Sequence, residues 1–251
     1  MNYQYLSETV KIKKVSETDT ESVFEVEGLY SGYGLTIGNA LRRALLSSIP
    51  GAAITQIKIK GVKHEFSTIP GVKEDVIEII LNLKKVRFKF HADEPQTLLL
   101  KVKGEKKITA GDIESNSQVE VINEDSPIMT LTSKSAEIEM EITVEKGLGY
   151  SSAESRKVNK LPVGVIAIDA FFTPVVNVDF KIENMRVGER TDYNRLIISI
   201  KTDGSIIPSK ALHKAANVLK DHIEKVAQIE VEKSDETEKV KTKAKKTKKI
   251  K

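Results

Sequence analysis

Cysteine is absent from this 251-residue chain. That excludes a disulfide framework, a thiolate zinc site, an iron–sulfur cluster and a cysteine nucleophile. Long hydrophobic runs are missing too. The most apolar stretch, residues 161–178, is interrupted by Pro162, Asp169 and Pro174, and is too short and too broken to span a bilayer. The first 14 residues lack the apolar core of a secretory signal and carry the acid Glu8, which does not suit a transit peptide. A soluble, intracellular, cytoplasmic protein is the expectation. The four histidines, His64, His91, His213 and His222, form no metal pair at ligand spacing, and neither a GxSxG elbow nor a P-loop occurs. Nor is there a run of aspartates suited to two Mg²⁺ ions. The reading is a chain with no catalytic residue, cofactor or metal of its own.

What is present fits a folded protein. The length allows one large domain or two modest ones, and 39% hydrophobic with 30% charged residues lies close to the globular norm. The formal charge of +4 is misleading, because residues 239–251 hold eight lysines and no acid, leaving 32 basic against 36 acidic side chains before them. A mildly acidic body is a poor surface for wrapping nucleic acid and a better one for meeting proteins.

Patterning predicts β-strands at residues 9–15 and 22–29, then a turn at Ser31-Gly32-Tyr33-Gly34. With Thr36 as N-cap, the spacing of Ile37, Leu41, Ala44, Leu45 and Ser48 predicts a helix that Pro50-Gly51 stops. In the middle, Ala136, Ile138, Met140, Ile142 and Val144 alternate with polar residues, mostly glutamates, as a half-buried strand requires, and Ile57 and Ile59 alternate with lysines. A helix is expected where Val76, Ile77, Ile80 and Leu83 recur, and short strands at residues 86–91, 98–103, 119–122 and 128–132. Strands follow at residues 163–170, 175–182 and 195–201, then a long helix after Pro208. Along it Leu212, Ala216, Leu219, Ile223 and Val226 step by 4, 3, 4 and 3, with Ile229 three further on: the seam of a helix–helix contact. From residue 232 the composition offers almost nothing to bury, and a disordered tail is expected.

Gly32, Gly34 and Gly38 invite a dinucleotide fingerprint, but the third glycine falls four residues after the second instead of three, so turn and packing roles are expected. Arg42 and Arg43 sit mid-helix beside the apolar stripe. Adjacent helix positions point about 100° apart, so the two are expected to divide roles, one pairing within the fold and one facing a partner, unless both are plain surface arginines.

The string from Gly32 to Gly51, GYGLTIGNALRRALLSSIPG, resembles the signature helix of the bacterial RNA polymerase alpha-subunit family. The resemblance continues through GVKHEFST at residues 61–68, GVKEDVIEIILNLK at 71–84, KGLGY at 146–150, IDAFFTPV at 168–175 and ERTDY at 189–193, and covers roughly residues 5–231. It implies an α+β, two-part fold. Residues 1–50 and 177–231 would form an α/β dimerisation domain, interrupted by an inserted, mainly antiparallel β domain at 51–176. It also implies a homodimer that nucleates assembly of the beta and beta-prime subunits, with catalytic Mg²⁺ held on beta-prime. By the same resemblance Asn39, Arg42, Arg43, Leu46 and Ser47 lie near the contact with beta, Arg43 matching the arginine implicated in assembly. Glu189, Arg190 and Asp192 mark a second contact surface. Members usually continue into a second globular domain that binds upstream promoter DNA; this chain ends in lysines, and that recruitment mode is expected to be missing or replaced. Lys239, Lys241, Lys243, Lys245, Lys246, Lys248, Lys249 and Lys251 form a candidate non-specific DNA tether. Two other readings compete: a dinucleotide-binding catalyst using the glycine turn, and a stand-alone dimeric nucleic-acid binder acting through the tail.

Overall fold

The computed structural model describes residues 8–157 and 162–229. Packing places the described residues up to Leu219 in one unit and those from Lys220 to Ile229 in a second. The elements run β1 (Lys11–Glu17), β2 (Glu21–Leu29), α1 (Tyr33–Ser47), β3 (Pro50–Ile59), α2 (Val76–Leu83), β4 (Phe88–Phe90), β5 (Gln96–Lys103), β6 (Lys106–Thr109), β7 (Val119–Val121), β8 (Pro127–Leu131) and β9 (Glu137–Leu148). They continue through β10 (Tyr150–Ser151), α3 (Ala153–Lys157), β11 (Val165–Ala167), β12 (Ala170–Phe171), β13 (Val175–Val187), β14 (Arg190–Thr202) and α4 (Pro208–Ala227). The class is α+β with antiparallel sheets.

One four-stranded sheet has the order β1-β2-β14-β13, so strands from early and late in the chain are hydrogen-bonded neighbours. Leu196 pairs with Val26 and Ile198 with Phe24. Because strand side chains alternate, these residues share the buried face. There Phe24, Val178, Ile198 and Ile200 meet Leu41, Ala44 and Leu45 of α1 and Ala211 and Ala215 of α4.

The start of α1 differs from expectation. Gly32 takes the left-handed conformation at φ 85°, and its N–H donates to the Asn194 side-chain oxygen at 2.9 Å. The helix therefore starts at Tyr33, and Thr36, not the cap, turns its hydroxyl back to the Gly32 carbonyl within the first turn. Pro50 and Gly51 also do more than end a helix, since they open β3 and pair with Leu148 and Gly147 of β9. Proline is tolerated at the first residue of a strand.

The second four-stranded sheet, β11-β3-β9-β5, carries the larger core. Ile138, Met140, Ile142 and Val144 of β9 are buried, as their alternation requires. The opposite face is a ladder of ion pairs: Lys60–Glu139 at 3.0 Å, Lys101–Glu139 at 2.8 Å, Lys58–Glu141 at 3.4 Å and Lys103–Glu137 at 3.5 Å. Lys101, then Lys60, holds the Glu139 carboxyl down at about 2. Helix α2 packs on this core through Val76, Ile79 and Leu83, whereas Ile77 is exposed and Ile80 only partly covered. The buried stripe is thus set one residue away from the expected Ile77–Ile80 pair, because the Asp75 carboxylate accepts the Glu78 N–H at 2.7 Å and fixes where the helix begins.

Residues 163–170 are not one strand. They divide into β11 and the start of β12 around Asp169, whose carboxylate accepts the Ala153 N–H at 2.8 Å and faces Lys84 at 3.0 Å. Strand β6 went unexpected, since Ile108 is its single buried residue. Phe172, just ahead of β13 of the first sheet, lies against β3 and β9 of the second: a Cβ at Gly51 would collide with its carbonyl oxygen, and one at Gly147 would come within 2.6 Å of its ring. Asp203 and Arg87, at 3.5 Å, bridge the same two regions.

Candidate assembly surface

Helix α1 has a packed side and a bare side. On the packed side Gly34 and Gly38 let the backbone close onto the sheet: a Cβ would lie 3.0 Å from Asn194 at the first and 2.9 Å from the Phe180 ring at the second. The expected packing role of these glycines is what the geometry exhibits, and the Gly32 N–H that a phosphate would need is taken by Asn194.

On the bare side Leu35, Asn39, Arg42 and Leu46 step by 4, 3 and 4, with Arg43 and Ser47 alongside, and all six are exposed. Leu35, at 55% exposure, was missed by the sequence reading, although its place in the helical repeat identifies it once Tyr33 is the helix start. Neither Arg42 nor Arg43 forms an ion pair among the described residues, so the expected local pairing of one of them is not seen. The Ser47 hydroxyl donates back to the Arg43 carbonyl at 2.7 Å, and Thr173 donates to the Leu46 carbonyl at 3.1 Å, which fixes the helix end.

The tip of the β13–β14 hairpin is the second surface. Glu189 lies exposed in the turn. Arg190 grips Asp192 with two parallel bonds, at 3.0 and 2.7 Å, and its guanidinium stands 4.9 Å from the Tyr30 ring and 5.6 Å from that of Tyr193. Asp192 raises the Arg190 pKa, and Arg190 in turn holds the Asp192 carboxyl below its ordinary value. A guanidinium already held by a carboxylate beside two aromatic rings loses little freedom on meeting a partner. The tyrosines were not singled out from sequence; the signal was Tyr30 and Tyr33 flanking the glycine turn, with their rings 6.5 Å apart.

The six seam residues of the last helix separate. Leu212 and Leu219 pack partly against the core beneath α1. Ala216 is exposed, and Ile223, Val226 and Ile229 are 66%, 65% and 68% exposed. Ile229 falls just beyond the helix end at Ala227. The tail lysines from Lys239 to Lys251 lie outside the described residues. All four histidines are exposed. Among the described residues no three histidine, aspartate or glutamate side chains gather as metal ligands, and no helix is long and apolar enough to cross a membrane.

Comparison with known proteins gives this surface its setting. Residues 57–173 match the model of the RNA polymerase Rpb3/RpoA insert domain family. The chain is 50% identical over 214 residues to the DNA-directed RNA polymerase subunit alpha of Alkaliphilus oremlandii (strain OhILAs), covering 85% of this chain and 67% of the relative. It is 48% identical over 219 residues to that of Symbiobacterium thermophilum, covering 86% and 69%, and 50% identical over 217 residues to that of Roseiflexus sp. (strain RS-1), covering 86% and 67%. The insert-domain match and this level of identity over so much of each chain mean that the chain belongs to the bacterial DNA-directed RNA polymerase alpha-subunit family.

Proposed function

We propose that this chain is a homodimeric scaffold on which the beta and beta-prime subunits assemble, itself contributing no catalytic group, in the cytoplasm at the nucleoid. Its division of labour follows the strands. Residues 1–50 and 177–231 form the assembly domain, a reading supported by the pairing of β2 with β14, and residues 51–176 form the insert. The observation that carries the proposal is apolar surface at seam spacing with nothing on it: Ile223, Val226 and Ile229 are each about two-thirds exposed. The bare side of α1 would face beta, with Arg43 donating to a partner carboxylate or carbonyl. The hairpin tip at Glu189, Arg190 and Asp192 supplies the second surface. The stand-alone nucleic-acid-binding reading yields to this one, and the tail lysines retain a non-specific DNA contact within the polymerase, read as the salt slope of promoter binding with and without residues 239–251.

Co-purification with beta and beta-prime, alongside sedimentation of the chain itself, tests the scaffold. Ile223→Asp is a cleaner probe than Leu219→Asp, because Leu219 also packs inside its own chain. An unpaired charge in the seam should weaken dimerisation by about 100-fold or more with unchanged folding. Arg43→Ala should keep the dimer and lose beta, with Arg42→Ala as the matched control. A dimer of Ile223→Asp unchanged at micromolar concentration, or full beta capture by Arg43→Ala, would count against the respective assignment.

A further inference from the structure

A cleft of ≈ 410 Å³ opens between the first residues of β3, strand β4 and the start of α4. Its volume falls within the range of small-molecule sites. Lys89, Lys146, Lys210, Lys214 and His91 line it, and no acidic side chain does. The four lysines come from three separate places in the sequence, in a body whose lysines elsewhere are commonly matched to carboxylates, as Lys13 is to Glu27 and Lys101 to Glu139.

The charge in the cleft is poorly compensated. Lys210 and Lys214 lie one helical turn apart on α4, and neither has an ion-pair partner among the described residues. Lys89 and Lys146 make loose pairs, with Glu120 at 3.5 Å and with the almost fully exposed Asp93 at 3.4 Å. Exposed pairs of this kind contribute little and are readily exchanged. Asp203, the neighbour in sequence of the lining residue Gly204, is already engaged: it accepts the Ser205 N–H at 2.9 Å and hydroxyl at 2.6 Å and faces Arg87 at 3.5 Å. Concentrating like charge in a concavity raises the local potential and draws in a multivalent anion. The remaining lining is mostly apolar, with Pro50, Phe90, Ile206 and Ile207 among it and Ser205 as its one polar side chain.

We infer that this cleft binds a small organic polyphosphate of the nucleoside-triphosphate type, its phosphates among the four lysines and its base or sugar against Phe90 and Ile206. A lone phosphate would leave most of the volume empty. A nucleic-acid backbone calls for a basic stripe along a surface, whereas these lysines converge on a hollow. The inference does not depend on the assembly role.

The test is calorimetric titration of the full chain at low salt with ATP, inorganic tripolyphosphate, adenosine and a short single-stranded DNA. ATP should bind one site per chain, tripolyphosphate about threefold or more weaker, and adenosine undetectably. The double variant Lys210→Glu, Lys214→Glu should lose about tenfold or more in ATP affinity, and Lys107→Glu, Lys134→Glu, exposed lysines elsewhere, no more than about twofold. Lys210→Gln, Lys214→Gln repeats the test by neutralisation if charge reversal disturbs folding. Undiminished ATP binding by these variants would move the site elsewhere, with the tail lysines first in line, and overturn the proposal. So would absence of ATP binding to the unaltered chain, equal affinity for ATP and tripolyphosphate, or tighter binding of the DNA that the same variants abolish.

Discussion

The two sheets solve the problem of the open face differently. The β11-β3-β9-β5 sheet turns one face to a large core and covers the other with the Lys–Glu ladder centred on Glu139, leaving little apolar surface there. The β1-β2-β14-β13 sheet has a smaller core, and the elements associated with it leave apolar residues bare: Leu35 and Leu46 on α1, and Ile223 and Val226 on α4. Residue type alone does not separate the two regions. Around the β11-β3-β9-β5 sheet apolar residues are bare as well, Phe66 and Val163 in turns among them, whereas beside the β1-β2-β14-β13 sheet they lie on helices, the surfaces that the proposed scaffold would offer to other subunits.

The largest expected effect tests whether the first region stands by itself. Met140 is fully buried in the larger core, and Met140→Ala should cost about 2–5 kcal/mol in thermal unfolding. Leu45→Ala, equally buried on the packed side of α1, should cost a similar amount. The contrast lies in assembly at low temperature, where Met140→Ala should still dimerise and take up beta while Leu45→Ala should not. Equal impairment of both would erase the distinction.

A middle-sized effect is expected at Gly38. Alanine brings a methyl group to 2.9 Å from the Phe180 ring, and although alanine favours a helix by up to about 1 kcal/mol, overpacking of about 1–3 kcal/mol should prevail. The melting temperature should fall, and beta capture with it, since α1 is pushed from its sheet. A rise in melting temperature would mean that Phe180 yields without strain.

The smallest effect concerns the ladder. Glu139 ordinarily titrates near 4.5 and in the folded chain near 2, so its stabilisation is complete above about 4.5 and fades as pH falls toward 2. Lys101→Met removes the main cause, and the variant should lose less stability than the parent between those pH values, as measured by melting across a pH series. Parallel curves would show that the ladder contributes no pH dependence.

Much of this architecture was legible in the sequence, for reasons that particular elements make plain. The alternation in β9 is a purely local pattern, and the buried set is the one that it names. In α2 the same kind of reading slipped, because almost every position is apolar and only the cap at Asp75 sets the phase. The pairing of β2 with β14 joins residues such as Val26 and Leu196, which no local period connects. At the surface, five of the six exposed positions on α1 were named on the family resemblance, and Leu35 was not, because its place on that side becomes plain only once Tyr33 is the helix start. The Tyr30–Arg190–Tyr193 cluster is assembled across the same long gap, and nothing in the ERTDY string at 189–193 ties it to Tyr30.

The hydrogen bond from Gly32 to Asn194 spans 162 positions of sequence. It acts as an index mark for the rotation of α1, because the first residue of the helix decides the azimuth of every later one. A start displaced by a single residue would turn the helix by about 100°, roughly the angle that separates Arg42 from Arg43. In the proposed assembly, which of the two arginines a partner subunit would meet is therefore written in part at an asparagine on a distant strand, and an Asn194 substitution would act as a change of address for the whole exposed face while every residue on that face stayed the same.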